Sequence, residues 1–213
     1  MQHLPTIAVI GGTGKSGSYL VRELLKQRYR LRLLHRHPET TGLRHPLLEL
    51  VKGDARQPEA VIQLLQGCSA VISTLGQPKG EPPIFSQATH NVLTAMRILD
   101  IHRYIITTGL SVTTPQDHKS EWVLAATDWM YQHYPDTTAD KQAEYELLQQ
   151  STVLWTMVRL PLIVFLHNPK EVVISREDCP GRQIHATALA TFLVQQLQEK
   201  DYHRCAPFLA SSS

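Results

Sequence analysis

Apolar positions along the chain fall into blocks of two kinds. One kind is a short, mostly apolar run: "IAVI" at 7–10, "LRLL" at 31–34, "LELVKGD" at 48–54, "AVIST" at 70–74, "YIITT" at 104–108 and "LWTMVR" at 154–159. The other kind spaces its apolar residues three or four apart. Residues 16–28 put Leu20, Leu24 and Leu25 on one helical face, and residues 86–99 carry Val92, Leu93, Met96 and Leu99. "PEAVIQLLQG" reads as a short helix with Pro58 near its start and Gly67 past its end, and 186–199 reads as a late helix. Strands that are apolar throughout are buried on both faces. Alternating them with helices predicts an α/β fold, a doubly wound parallel sheet with helices on both sides. No repeat or low-complexity linker interrupts the pattern, so residues 1–213 read as a single domain. In such a fold ligands sit beyond the carboxyl ends of the strands, so the chemistry is expected in the loops that follow them.

Composition narrows the partners. Of 213 residues, 42% are hydrophobic and 19% charged, and the net charge is +2. These values suit a globular protein with a sizeable core. The charge is too balanced, and Lys and Arg too scattered, for a nucleic-acid partner. A small-molecule substrate is the expectation. Cys68, Cys179 and Cys205 have no metal-ligand spacing and read as reduced thiols, with no metal expected. The N-terminus lacks the basic region of a signal peptide. The most apolar later stretch, "VRLPLIVFL", contains Arg159 and Pro161 and is too short to span a bilayer. A soluble, cytoplasmic protein without a membrane partner is expected.

The first loop carries the strongest chemical signal, "IAVIGGTGKSG" at 7–17. Its Gly-Lys-Ser suggests a nucleoside triphosphate, but a P-loop needs a further glycine five positions before Gly14. That position is Val9, inside the strand, so the motif fails. Gly12-x-Gly14-x-x-Gly17 instead satisfies the Rossmann dinucleotide spacing, and Gly11-x-x-Gly14-x-x-Gly17 a variant of it. The glycines allow a tight turn, close backbone approach to a pyrophosphate, and close helix–strand packing. The pyrophosphate then rests on a helix N-terminus. Gly11, Thr13, Gly14, Lys15, Ser16 and Gly17 are the expected phosphate-side residues. At the end of the second strand an NAD site places an acid that accepts from the ribose 2′-OH. The chain reads "LLHRHPE" there, with Arg36 between His35 and His37. An arginine pairs with a 2′-phosphate through charged hydrogen bonds, so NADP(H) is expected over NAD(H). The alternative is a solvated Arg36 with Glu39 as its partner.

With these stretches, together with "VKGDARQPEAVIQLLQGCSAVISTLGQ", "RYIITTGLSV" and "KQAEYELLQQSTVLWTMVRLPLI", the chain resembles the atypical short-chain dehydrogenase/reductases. The likeness is to their NmrA-like and flavin-reductase/biliverdin-reductase-like group. The resemblance implies a Rossmann-like sheet in which Asp54 and Ala55 line the adenine. It implies that Thr74, Leu75 and Gly76 pass along the middle of the cofactor. It further implies that Pro161, Leu162 and Ile163 close over the nicotinamide.

One departure bears on mechanism. Typical short-chain dehydrogenases use Tyr-x-x-x-Lys, whose lysine lowers the tyrosine pKa for acid–base work. Lys141 is present, but four residues before it stands Thr137. Tyr134 is followed by Pro135, which places it outside the helix, and Tyr145 follows the lysine in reversed order. Flavin-reductase-like relatives manage without that tyrosine, presenting the hydride of NADPH to a bound planar acceptor. Lys141 is expected at the nicotinamide ribose; the alternative is a solvated lysine paired with Glu144. Thr107, Thr108 and Ser111 follow the fifth strand. Thr108, Ser111 and Lys141 are the candidate catalytic residues, with local backbone bonding as the alternative for the hydroxyls.

Two stretches, 112–137 and 164–183, are expected on the substrate side. Trp122 and Trp129, seven apart, read as core-facing positions of a helix. His167 is a candidate proton donor or a structural histidine. Three functions compete: an NADP(H)-dependent oxidoreductase acting on a flavin, quinone or similar planar acceptor; a non-catalytic NADP(H) sensor; and a sugar-nucleotide epimerase or dehydratase.

Overall fold

The apolar run of β1 (Thr6–Ile10) decides how the molecule is layered. Ile7 and Val9 enter one cluster of buried side chains, and Ala8 and Ile10 enter another. Side chains alternate across a strand, so a strand apolar at every position needs cover on both faces. The computed structural model describes residues 5–78, 80–166 and 170–212. In it β1 lies inside an eight-stranded sheet with β2 (Arg30–His35), β3 (Leu48–Lys52), β4 (Ala70–Ser73), β5 (Arg103–Gly109) and β6 (Leu154–Leu160). These six run parallel in the order β3-β2-β1-β4-β5-β6. The order reverses between β1 and β4, and that switch opens a crevice at the carboxyl ends.

Helices α1 (Lys15–Lys26) and α6 (Ala186–Gln195) bury Leu20, Leu24, Leu189 and Phe192 on one face of the sheet. Helices α2 (Pro58–Leu65), α3 (Phe85–Leu99) and α5 (Pro135–Gln150) bury Val61, Leu64, Val92, Met96 and Leu148 on the other. The expected strands and helices are thus present, in a Rossmann-like arrangement. No helix among the described residues is long and apolar enough to cross a membrane.

Two features depart from the sequence reading. Helix α4 (Glu121–His133) packs on α5, but it buries Val123 and Thr127 rather than the two tryptophans. Trp122 is partly buried, while Trp129 is 49% exposed and stacks on His133. The buried stripe runs one residue out of phase with the spacing of seven. The second departure is four short strands: β7 (Leu162–Val164), β8 (Val172–Ser175), β9 (Gln183–His185) and β10 (Phe208–Ser211). Strand β10 adds parallel to β6, and β8 adds antiparallel to β10 as the edge. Strands β7 and β9 pair separately. Residues 172–175 of the 164–183 stretch therefore belong to the sheet. Segments of three or four residues show no readable period, and their pairing depends on partners distant in sequence.

Arg159 ties these late elements together. Its side chain is fully buried. Its Nη1 donates to both Asp117 carboxylate oxygens at 2.7 Å and to the Val112 carbonyl at 3.2 Å. Its Nε donates to the Ala206 carbonyl at 2.7 Å and its Nη2 to that of Arg176 at 3.1 Å. The guanidinium lies 3.5 Å from the centre of the Phe208 ring. A buried cation needs such partners, because desolvation is otherwise uncompensated. Asp117→Ala is expected to cost about 3–5 kcal/mol of stability, the penalty for stranding a buried charge. Urea unfolding measures it; a loss of about 1 kcal/mol or less, as for an exposed pair, would contradict the assignment.

Candidate functional site

The turn after β1 leaves no room for a side chain at Gly11, nor the first turn of α1 at Gly17. Gly11 has φ +77°, and a Cβ there would lie 2.7 Å from backbone atoms of Thr74. A Cβ on Gly17 would lie 2.1 Å from the Gly11 carbonyl oxygen. Helix α1 therefore begins hard against β1 and the loop after β4. Gly14 donates its N–H to the Gly11 carbonyl at 3.0 Å and is the N-cap of α1. It supplies no side-chain cap, and the first turn holds no acid. The first N–H groups of a helix lack acceptors within it, and the helix dipole adds positive potential there. The result is an anion seat.

That seat opens into a cavity of about 440 Å³ at the carboxyl ends of β3, β2, β1 and β4. Gly11, Thr13, Gly14, Lys15 and Ser16 line one part of it. Asp54 and Ala55 line another, and Thr74, Leu75 and Gly76 a third. Asn91 Nδ2 donates to the Ala55 carbonyl at 2.9 Å and fixes that wall from α3. Gly17 is not in the lining; it acts by permitting the close approach. Pro161, Leu162 and Ile163 also lie outside the lining. Pro161 is buried, Leu162 is 71% exposed, and Ile163 packs against the core under α1 and α6. Phe165 reaches the cavity instead, with its ring centre 6.2 Å from that of Tyr19 and 5.9 Å from Lys15 Nζ. His167 lies outside the described residues.

Arg36 lines the same cavity, but its partner is not Glu39, which instead approaches His37 at 3.5 Å. Arg36 Nη1 donates to Glu81 Oε1 at 2.9 Å, and Arg56 Nη2 lies 2.7 Å from Glu81 Oε2. Arg56 is held in turn by Asp54 at 3.2 Å. The two guanidiniums hold the Glu81 carboxyl below the usual carboxylate range. Sequence reading missed Arg56 and Glu81, because each comes from a different strand end.

The candidate catalytic residues gather at the carboxyl end of β5 and on α5. The hydroxyls of Thr108 and Ser111 are buried without a hydrogen-bond partner, so local backbone does not satisfy them. A Cβ added at Gly109 would lie 3.6 Å from Ser111 Oγ and 3.8 Å from Lys141 Nζ, so both groups flank one point. Lys141 Nζ sits 4.8 Å from the centre of the Phe85 ring, and burial lowers its pKa. The solvated Lys141–Glu144 pair is not what forms. Glu144 is buried and accepts from Thr89 Oγ1 at 2.8 Å, and its other oxygen has no partner. Asp140, next to Lys141, caps α3 from outside: it accepts from the N–H groups of Phe85 at 2.7 Å and Ser86 at 3.3 Å, and from the Ser86 hydroxyl. This contact sets α5, and with it Lys141, against the start of α3.

No tyrosine joins this group. Thr137 sits in the first turn of α5. Tyr134 falls between α4 and α5, exposed, 5.8 Å from Trp129. Tyr145 packs edge-on against Trp155. Trp155 pairs with Tyr104, four residues before Thr108, which is about 13 Å along the strand toward the wrong end of the sheet.

Two outcomes follow from this geometry. Gly17→Ala is expected to lower stability by about 1–3 kcal/mol through overpacking and to abolish nucleotide binding; thermal unfolding and a nucleotide titration read the two effects, and unchanged binding would contradict the close-approach role. Burial pushes the Glu144 carboxyl up to about 8, whereas an unfolded glutamate titrates near about 4.3. Folding therefore favours its protonated form. That stabilisation is whole below about pH 4 and is lost as pH rises through about 8. Wild type is expected to lose stability over that window while Glu144→Gln loses less of it, as read by denaturant midpoints at pH 5 and 8.5. Parallel profiles would refute the assignment.

The model of the NAD(P)H-binding family matches residues 11–200. Among solved structures, a short-chain dehydrogenase/reductase from Veillonella parvula superposes with a TM-score of 0.81 at 16% identity, covering 99% of this chain and 96% of that one. A wide-type short-chain dehydrogenase/reductase from the same organism, solved in complex with NADP, gives 0.80 at 15% identity over 99% and 96%. ChuY of Escherichia coli, named as an anaerobillin reductase, gives 0.78 at 16% identity over 98% of each chain. At these identities the likeness establishes the fold. The photosystem II assembly factor Ycf39 of Trieres chinensis is 37% identical over 70 residues, which are 32% of this chain and 22% of that protein. The match thus takes in less than a quarter of that curated relative's length. The residues present suit a dinucleotide: an uncapped helix start, glycines where a Cβ would clash, and unpartnered hydroxyls at the carboxyl end of β5.

Proposed function

We propose, on the premise that the chain belongs to the NAD(P)H-binding family, that it is an NADP(H)-dependent oxidoreductase whose acceptor is a flavin, a quinone or a similar small planar molecule. One observation carries the choice of nucleotide. The cavity that begins at the N-terminus of α1 also holds two guanidiniums, Arg36 and Arg56. That arrangement suits a pyrophosphate at one place and a 2′-phosphate at another. The nearby solved structure with NADP and the reductase named among the fold neighbours support the same reading.

When bound, the nicotinamide nucleotide supplies a hydride. The chain's own residues position it. Gly11, Gly14 and the start of α1 hold the pyrophosphate, and Ala55, fixed by Asn91, flanks the adenine. Lys141 is the cation available to the nicotinamide ribose, the Ser111 hydroxyl is a free donor close to it, and the unpartnered Thr108 hydroxyl lies at the end of β5. With Thr137 four residues before Lys141 and the Tyr145 ring packed against Trp155, the site lacks the phenolic acid that alcohol and carbonyl chemistry employs. An acceptor that takes a hydride with little acid assistance fits this set. Phe165, at the edge of the cavity, offers an apolar surface to a planar ring.

Steady-state oxidation of NADPH with a free flavin and with a water-soluble quinone tests the proposal. Turnover is expected, faster with NADPH than with NADH. Arg36→Ala is expected to weaken NADPH binding about tenfold or more, the loss of a charged hydrogen bond, and to leave NADH binding nearly unchanged. Nucleotide binding without turnover on either acceptor class would favour the sensor over the reductase. No binding of either nucleotide would overturn the whole reading.

A further inference from the structure

The carboxylate of Glu81 bridges two arginines that arrive from different strand ends. Arg36 directly follows β2, Arg56 lies in the loop after β3, and Glu81 comes from the loop after β4. Each Glu81 oxygen meets a different guanidinium, at 2.9 Å and 2.7 Å. The turn that presents Glu81 is itself built. Gln77 Nε2 donates to the carbonyls of Pro78, Glu81 and Pro82 at 3.1, 2.7 and 3.3 Å. Arg36, Arg56, Gln77 and Pro78 all line the nucleotide cavity. The protein has therefore placed an anion of its own between two of the cations that face that cavity, Arg36 and Arg56.

We propose that Glu81 sets the preference between NADP(H) and NAD(H) by occupying the anion seat that a 2′-phosphate takes between Arg36 and Arg56. The inference rests on the nucleotide reading above. With Glu81 in place, the charges of Arg36, Arg56, Asp54 and Glu81 sum to zero. A 2′-phosphate entering the seat has to displace the Glu81 carboxylate, which like-charge repulsion then drives from the cavity. Arg36 and Arg56 are left with Asp54 and carry a net positive charge toward the phosphate. A 2′-hydroxyl displaces nothing, because it donates to a carboxylate. Glu81 thus lowers affinity for 2′-phosphorylated nucleotides and leaves the unphosphorylated ones in contention, although no acid stands at the end of β2.

The test is calorimetric titration of wild type and Glu81→Gln with adenosine 2′,5′-bisphosphate and with 5′-AMP. Glu81 is on the surface and its neighbours remain, so the variant keeps the fold; circular dichroism checks this. The variant is expected to bind adenosine 2′,5′-bisphosphate about three- to tenfold more tightly, the scale of two exposed ion pairs released. Its affinity for 5′-AMP is expected to stay within about twofold, well inside that scale. An unchanged or weaker affinity for the bisphosphate overturns the proposal, as does an equal gain for both nucleotides. If wild type binds neither nucleotide, the cavity is not a nucleotide site, and that separate failure falls on the reading beneath this one.

Discussion

The close approach of α1 to β1 is the constraint on which the site depends. With no Cβ at Gly17, the helix can begin against the Gly11 carbonyl. With Gly11 at positive φ, the chain can turn beside the Thr74 backbone. These two contacts bring the helix N-terminus to the point where strand order reverses between β1 and β4. A helix displaced by one side chain would carry its free N–H groups away from the crevice. The anion seat, the cavity wall at Thr74–Gly76 and the position of Phe165 near Lys15 all depend on that packing.

The second half of the chain is organised on a different principle. The first half is a repeating strand–helix unit held by apolar faces. Beyond β6 the elements are short, and they converge on a buried charge. Arg159 draws on Asp117 and Val112 of one loop and on the carbonyls of Ala206 and Arg176 from two other segments, so the 112–119 loop, the approach to β10 and the end of β8 share one centre. Lys119, itself buried, donates to the Ser111 and Val112 carbonyls. Through these bonds the charge cluster also fixes the loop that carries the Ser111 hydroxyl. Asp140 does comparable work for Lys141 by capping α3 from α5.

The legible part of the site was the local part. Four glycines within seven residues, preceded by an apolar run and followed by a helical pattern, announce a phosphate turn because the whole motif lies in one segment. Arg36 was legible because the end of the second strand is a known position. Arg56 and Glu81 were not, since their meeting needs three strand ends brought side by side. The tryptophans of α4 show another limit. A spacing of seven identifies one helical face, but not whether that face or its neighbour meets the core. Val123 and Thr127 won because α5 and the Cys179–Phe208 cluster lie on their side.

By itself, then, the amino-acid sequence determined the layered α/β architecture, the glycine-rich strand–turn–helix, and the lack of a tyrosine four residues before Lys141. Each is written in local spacing, where apolar period, glycine and proline act directly on backbone conformation. Tertiary structure alone decided the pairing of β10 with β6 and β8, the burial of Arg159, and the carboxylate placed between Arg36 and Arg56. Those depend on contacts between residues from 17 to 49 apart in the chain. The strength of such charged contacts is set by desolvation and geometry, which exist only once the sheet has brought the partners together.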